Sequence, residues 1–137
     1  MSVPNKASYF NESLSRGDPW PPVEVEISSA AVEAGLSYEI WLKNVTSHDV
    51  PGLTVRGVVP AGSSLMRSFS LVPGGDRGKF EEVPVSGQRE ISWHRVSVEA
   101  GQRLGPFVYE VSFSGDRNLS SRAWVERGGI PITFAAE

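Results

Sequence analysis

The sequence predicts an all-β fold, an antiparallel β-sandwich of seven to nine strands, on three observations. Hydrophobic residues make up 39% of the 137 positions, and they fall in short runs that alternate with the period of two expected of a half-buried strand. Turn formers are generous, with Gly 14 and Pro 10, and they punctuate the chain between those runs. No stretch supports a helix of three turns.

Residues 1–22 lack periodicity and close on Asp18-Pro19-Trp20-Pro21-Pro22. Paired prolines hold an extended backbone, so this segment reads as a flexible or extended linker or arm, with residues 23–137 as a single sandwich domain. Val23, Val25 and Ile27 alternate with Glu24, Glu26 and Ser28, a first strand whose glutamates suit a protected edge. Val32-Glu33-Ala34-Gly35 turns the chain into a strand from Leu36 to Asn44, with Tyr38, Ile40 and Leu42 inward and Glu39, Trp41 and Lys43 outward. A polar turn from Thr46 to Gly52 precedes a strand that buries Leu53, Val55 and Val59 and stops at Pro60-Ala61-Gly62.

A shorter strand is expected from Ser64 to Leu71, then a turn cluster at Pro73–Gly78 and weak pairing over Phe80–Val85. Ile91 and Trp93 open the next strand, which breaks at Glu99-Ala100-Gly101. Phe107, Tyr109, Val111 and Phe113 alternate after it. The phase slips by one residue past Gly101, and Gly105-Pro106 is the expected bulge. Ser121–Glu126 forms a strand with Ala123 and Val125 inward, and Ile130–Phe134 adds a short strand or an exit linker. This count and spacing suit an immunoglobulin-like sandwich, with Trp93 filling the space between the sheets.

A net charge of −3 and a pI near 5.4, with no Lys/Arg stripe, argue against a nucleic-acid partner. The absence of cysteine excludes disulfides, thiolate metal sites and a Cys nucleophile. No stretch reaches the ~20 apolar residues that span a bilayer, so no membrane insertion is expected. The first twenty residues lack the basic and apolar regions of a signal peptide, so the expectation is a domain of a longer exported chain, or a cytoplasmic protein if this is the whole gene product.

The chain resembles the immunoglobulin-like "conserved repeat domain" of bacterial and archaeal surface and secreted proteins. Tyr38, Ile40, Leu42 and Asn44 match its Tyr-x-Ile-x-Val-x-Asn strand, and Leu53, Val55, Val59, Pro60, Ala61 and Gly62 match its second strand with the Leu-Pro-Ala-Gly ending. Trp93, Val98 and Gly101 follow its Trp motif, and Ser121, Ala123 and Val125 its last strand. Gly57 stands where the family often has Asp, and Ser121 where it has Asn. The resemblance spans residues 23 to 126 and implies a stalk, spacer or presentation module with no catalytic residues.

Candidate chemistry is sparse. His48 lies in a turn beside Asp49 and His94 on an outward phase, without the three or four convergent ligands of a metal site. No Gly-x-Ser-x-Gly elbow occurs. The paired acids Glu81-Glu82 and Glu24/Glu26 read as surface charge rather than as a glycosidase pair. Asp18, Asp49, Asp76 and Asp116 are single acids in separate loops, better suited to turns than to calcium. Arg16-Gly17-Asp18 spells an integrin-type tripeptide, read as coincidence because Pro19 restricts Asp18. Asn11, Asn44 and Asn118 begin glycosylation sequons, and Asn44 is expected to bond backbone at its strand end instead.

Trp41 and Trp124 remain as candidate ligand-binding residues, because both fall opposite the inward phase of their strands. The reading is therefore a non-enzymatic structural or adhesive spacer, with neighbouring domains of the same chain or a surface protein or glycan as partners and no cofactor. The rival is a carbohydrate- or protein-binding module built on Trp41 and Trp124. An accessory domain of an enzyme would differ only in what is fused to it.

Overall fold

The computed structural model describes residues 19–73, 75–114 and 119–137. Nine strands run through them: β1 (Val23–Val32), β2 (Gly35–Asn44), β3 (Val50–Val59), β4 (Ser64–Ser70), β5 (Lys79–Glu82), β6 (Arg89–Val98), β7 (Arg103–Ser112), β8 (Arg122–Arg127) and β9 (Ile130–Ala136). One sheet has the order β1-β2-β7-β4 and the other β5-β6-β3-β8-β9, and every pairing is antiparallel. These are the A-B-E-D and C-F-G sheets of an immunoglobulin-like sandwich, with β3, β8 and β9 as C, F and G. The β5-β6 hairpin is an insertion between the fourth and fifth strands of that plan, added on the free side of β3.

The expected alternation fills the space between the sheets. Tyr38, Ile40, Leu42, Phe107, Tyr109 and Val111 from one sheet meet Leu53, Val55, Val59, Ile91, Trp93, Ala123 and Val125 from the other, all buried. Gly57 is also inward, and a Cβ there would stand 2.6 Å from the Tyr109 ring. Trp93 is 2% exposed and tilts against Phe107 with ring centroids 5.4 Å apart. It fills the core as expected, although it stands on the inserted β6 and not on the C-strand equivalent.

Register corrects several boundaries. The turn expected from Thr46 to Gly52 ends earlier, because Val50 already pairs with Val98 and Pro51-Gly52 form a bulge before Leu53 pairs with Val96. Gly52 takes φ 70° there. The bulge at Gly105-Pro106 is present: Ile40 pairs with Phe107 and Leu42 with Leu104, so two residues oppose Trp41. A third bulge, at His94-Arg95, was not expected. Phe113 falls just beyond β7, and weak pairing over Phe80–Val85 reduces to the four residues of β5, since Val83–Gln88 close a turn through Val83 N–H to Gln88 O and Gly87 N–H to Val83 O. β9 is a full strand and not an exit linker.

Asn44 closes the end of β2 from a fully buried position. Its amide donates to His48 O (2.9 Å) and Val98 O (2.8 Å), and its carbonyl accepts from Thr46 N–H (2.9 Å) and Thr46 Oγ1 (2.7 Å). This is the strand-end role expected of it. At the same end the chain enters the sandwich, where Val45 N–H bonds Pro22 O (3.0 Å) and Trp20 packs against the core. β1 and β9 then run side by side in the same direction, and Glu137 N–H bonds Ser121 O (3.0 Å) at the opposite end, beside Pro60 and Leu119.

Candidate functional site

Trp41 and Trp124 lie on the outer faces of different sheets, Trp41 on β2 and Trp124 on β8. Those faces point away from each other, so the two indoles do not share one patch. Each is half-buried. The Arg103 guanidinium lies 4.0 Å over the Trp41 ring, and Gly105 at φ 147° brings the β7 bulge beneath it. Register puts Arg103 beside Lys43, across from Glu24 and Glu26, and it forms a 3.6 Å ion pair with Glu26.

Trp124 donates its indole N–H to Glu126 Oε2 (2.8 Å) and pairs across β9 with Phe134, which is 68% exposed. Phe134 also lines a cleft with Pro19, Trp20, Pro21 and Val45. Phe134 thus adds an exposed aromatic to this face, one that the sequence does not single out because the short run Ile130–Phe134 fits a strand and a linker equally well.

Beside Trp124 the outer face of the five-stranded sheet carries an ion network centred on Arg56. Arg56 Nη1 bonds Glu81 Oε1 (2.9 Å) and Glu90 Oε1 (3.3 Å), and Nε stands 3.1 Å from Glu126 Oε2 as an ion pair without hydrogen-bond alignment. Glu90 is 6% exposed and takes a further bond from Gln88 Nε2 at 2.8 Å. The hydrogen bond from Arg56 holds the Glu81 carboxyl below the usual carboxylate range. Four strands supply this network, and only their register brings the charges together.

The remaining candidates have structural partners. His94 contacts Thr54 Oγ1 (3.3 Å) and Ser92 Oγ (3.1 Å) on the outer face. Asp49 accepts Ala100 N–H (3.0 Å) and Asp76 accepts Gly78 N–H (2.8 Å), each bracing a turn. Among the described residues no group of three or more His, Asp or Glu is placed to hold a metal. Arg16, Gly17, Asp18, Asn11, Asp116 and Asn118 lie outside the described residues. No helix among the described residues is long and apolar enough to cross a membrane.

No family model matches the chain, and no curated protein matches its sequence. Among solved structures it is similar to the collagen-binding domain from a Staphylococcus aureus adhesin, at 7% identity and TM-score 0.48, over 82% of this chain and 94% of that one. It is similar also to BslA, a bacterial hydrophobin, at 9% identity and TM-score 0.46, over 87% and 94%. The collagen-binding subdomain of the Enterococcus faecalis surface protein ACE is 8% identical with TM-score 0.44, over 87% and 94%. These are likenesses of general outline.

Proposed function

We infer that this domain is a non-catalytic structural and adhesive spacer of a larger cell-surface or secreted protein, with residues 1–22 as its connecting arm and 23–137 as the sandwich. The observation that carries this reading is the path of the chain. It enters at the end held by Val45 and Pro22 and leaves at the end held by Ser121 and Glu137, with β1 and β9 side by side between them. Copies or neighbours joined through those ends would string out in a line. Tension along that line would shear β1 and β9 along their length, loading many contacts together rather than one at a time.

Force spectroscopy on a tandem array tests this. Pulling through the chain ends should require a several-fold higher unfolding force than pulling through cysteines placed to peel β9 from β8. Equal forces in the two geometries would remove the spacer reading.

Ligand binding through Trp41 and Trp124 is the rival, and one observation favours it at a single site: Phe134 stands exposed beside Trp124. A glycan and protein array probed with wild type, Trp124→Ala and Trp41→Ala distinguishes the two. Binding that Trp124→Ala abolishes would make this face a recognition surface for a surface protein or glycan.

A further inference from the structure

We propose that the cleft beside the bare half of β6 binds the end of an extended peptide, with the terminal carboxylate on Arg95 and the last, apolar side chain in the cleft. This site is independent of the spacer reading. β5 pairs with β6 only along Arg89–Ser92, so from Trp93 to Val98 β6 is paired on one side alone, with β3. Such an edge offers backbone donors and acceptors to an added strand. A cleft of about 230 Å³ lies against it, floored by Trp93, Leu104 and Phe107 and walled by Ser70, Val72 and Asp76. That volume suits one ring-sized group rather than a drug-sized ligand.

Charge selects the occupant. Arg95 is one of the two residues of the β6 bulge and takes φ 58°, a left-handed conformation that favours glycine. The bulge brings Arg95 to the cleft, where its guanidinium has no hydrogen bond or ion pair among the described residues. The other charged groups there are engaged: His94 contacts Thr54 and Ser92, and Asp76 holds Gly78 N–H. Among the lining residues the Ser70 hydroxyl is buried without a hydrogen-bond partner. An unpaired arginine lining an apolar cleft, next to an open strand edge, suits a chain-terminal carboxylate following an apolar side chain.

The Trp93 indole N–H, bonded to Asp76 O at 3.3 Å, reports on the cleft in a two-dimensional NMR spectrum and is assigned by its loss in Trp93→Phe. Titration with acetyl-Gly-Gly-Phe as the free acid should move this resonance. The C-terminal amide of the same peptide and phenylacetate should each bind roughly tenfold more weakly, the first lacking the charge-assisted bond and the second the backbone. Arg95→Gly suits the backbone at this position, so it should stay folded and lose the preference for the free acid. An amide or phenylacetate that binds as tightly as the free acid, an unchanged preference in Arg95→Gly, or an unmoved Trp93 resonance would overturn the proposal.

Discussion

Tyr38 and Tyr109 stack across β2 and β7 with ring centroids 5.0 Å apart and planes 25° from parallel, and both hydroxyls bond chain from the opposite sheet or its connections. Tyr38 Oη donates to Leu119 O (3.0 Å), while Tyr109 Oη shares a hydrogen bond with Ser121 Oγ (2.5 Å), which donates on to Val58 O (2.7 Å). The pair therefore pins the two sheets together from within the core. Gly57 is the position that leaves room for it. Gly57→Ala should cost about 2 kcal/mol by overpacking against the Tyr109 ring, measured by urea denaturation.

The same pair sets an alkaline limit. Burial, and behind it the charge of Glu137, push the Tyr38 phenol up to about 12 from 10.0, and burial raises Tyr109 as well. Between those values the folded chain holds protons that the unfolded chain has released, so stability present below pH 10 is lost as pH rises through 12. Thermal melts from pH 8 upward should show this fall, and Tyr38→Phe should flatten it.

Asn44 satisfies two carbonyls and takes two hydrogen bonds from Thr46 inside the β2 end. Asn44→Ala should cost about 3 kcal/mol in chemical denaturation, because the His48 and Val98 carbonyls lose their donor while the surrounding chain stays closed over them. Its buried amide also keeps the Asn44-Val45-Thr46 sequon out of reach of a glycosylating enzyme in the folded state.

Removing Arg56 leaves the buried Glu90 without its counter-charge. Arg56→Ala should destabilise by about 3 kcal/mol at pH 7 in chemical denaturation, because it leaves a buried carboxylate unpaired. Glu81, its pKa lowered by the hydrogen bond from Arg56, stabilises the fold above the ordinary carboxylate range, and that contribution is lost as pH falls through the lowered value. Glu81→Gln should therefore be least stable relative to wild type near neutrality and converge with it in strong acid.

Arg103→Ala uncovers Trp41. Acrylamide quenching of tryptophan emission should rise, with a stability loss of about 0.5–1 kcal/mol, the usual size of an exposed cation–π contact. Quenching that stays at the wild-type level would mean that the guanidinium does not shield the indole in solution.

The buried faces of β2, β3 and β7 were legible because alternation writes the inside of a strand directly into the sequence. The bulge at Gly105-Pro106 was legible for the same reason, as a slip of phase between Leu104 and Phe107. A similar slip between Trp93 and Val96 marks the His94-Arg95 bulge, but it carries no Gly or Pro to set it apart from an unbroken strand. Neither Arg103 over Trp41 nor the Arg56 network carries any local signal, since each joins strands that meet only through sheet register. The positions of Trp41 and Trp124 on opposite faces were likewise invisible, because phase tells inside from outside and not which sheet a strand joins.

The hairpin inserted between β4 and β7 also bears on how the chain folds. Leu65 and Val111 pair only after everything between them, β5 and β6 included, has been looped out. Doubling a loop adds only about 0.6 kcal/mol of closure entropy, so the insertion weighs little on stability. The inserted hairpin itself can close in microseconds, whereas a sandwich held by distant pairs such as Leu36 with Val111 and Val55 with Val125 is expected to assemble in milliseconds to seconds. Lengthening the turn between β5 and β6 should therefore leave the slow refolding phase almost unchanged, while weakening the β3–β8 pairing should slow it.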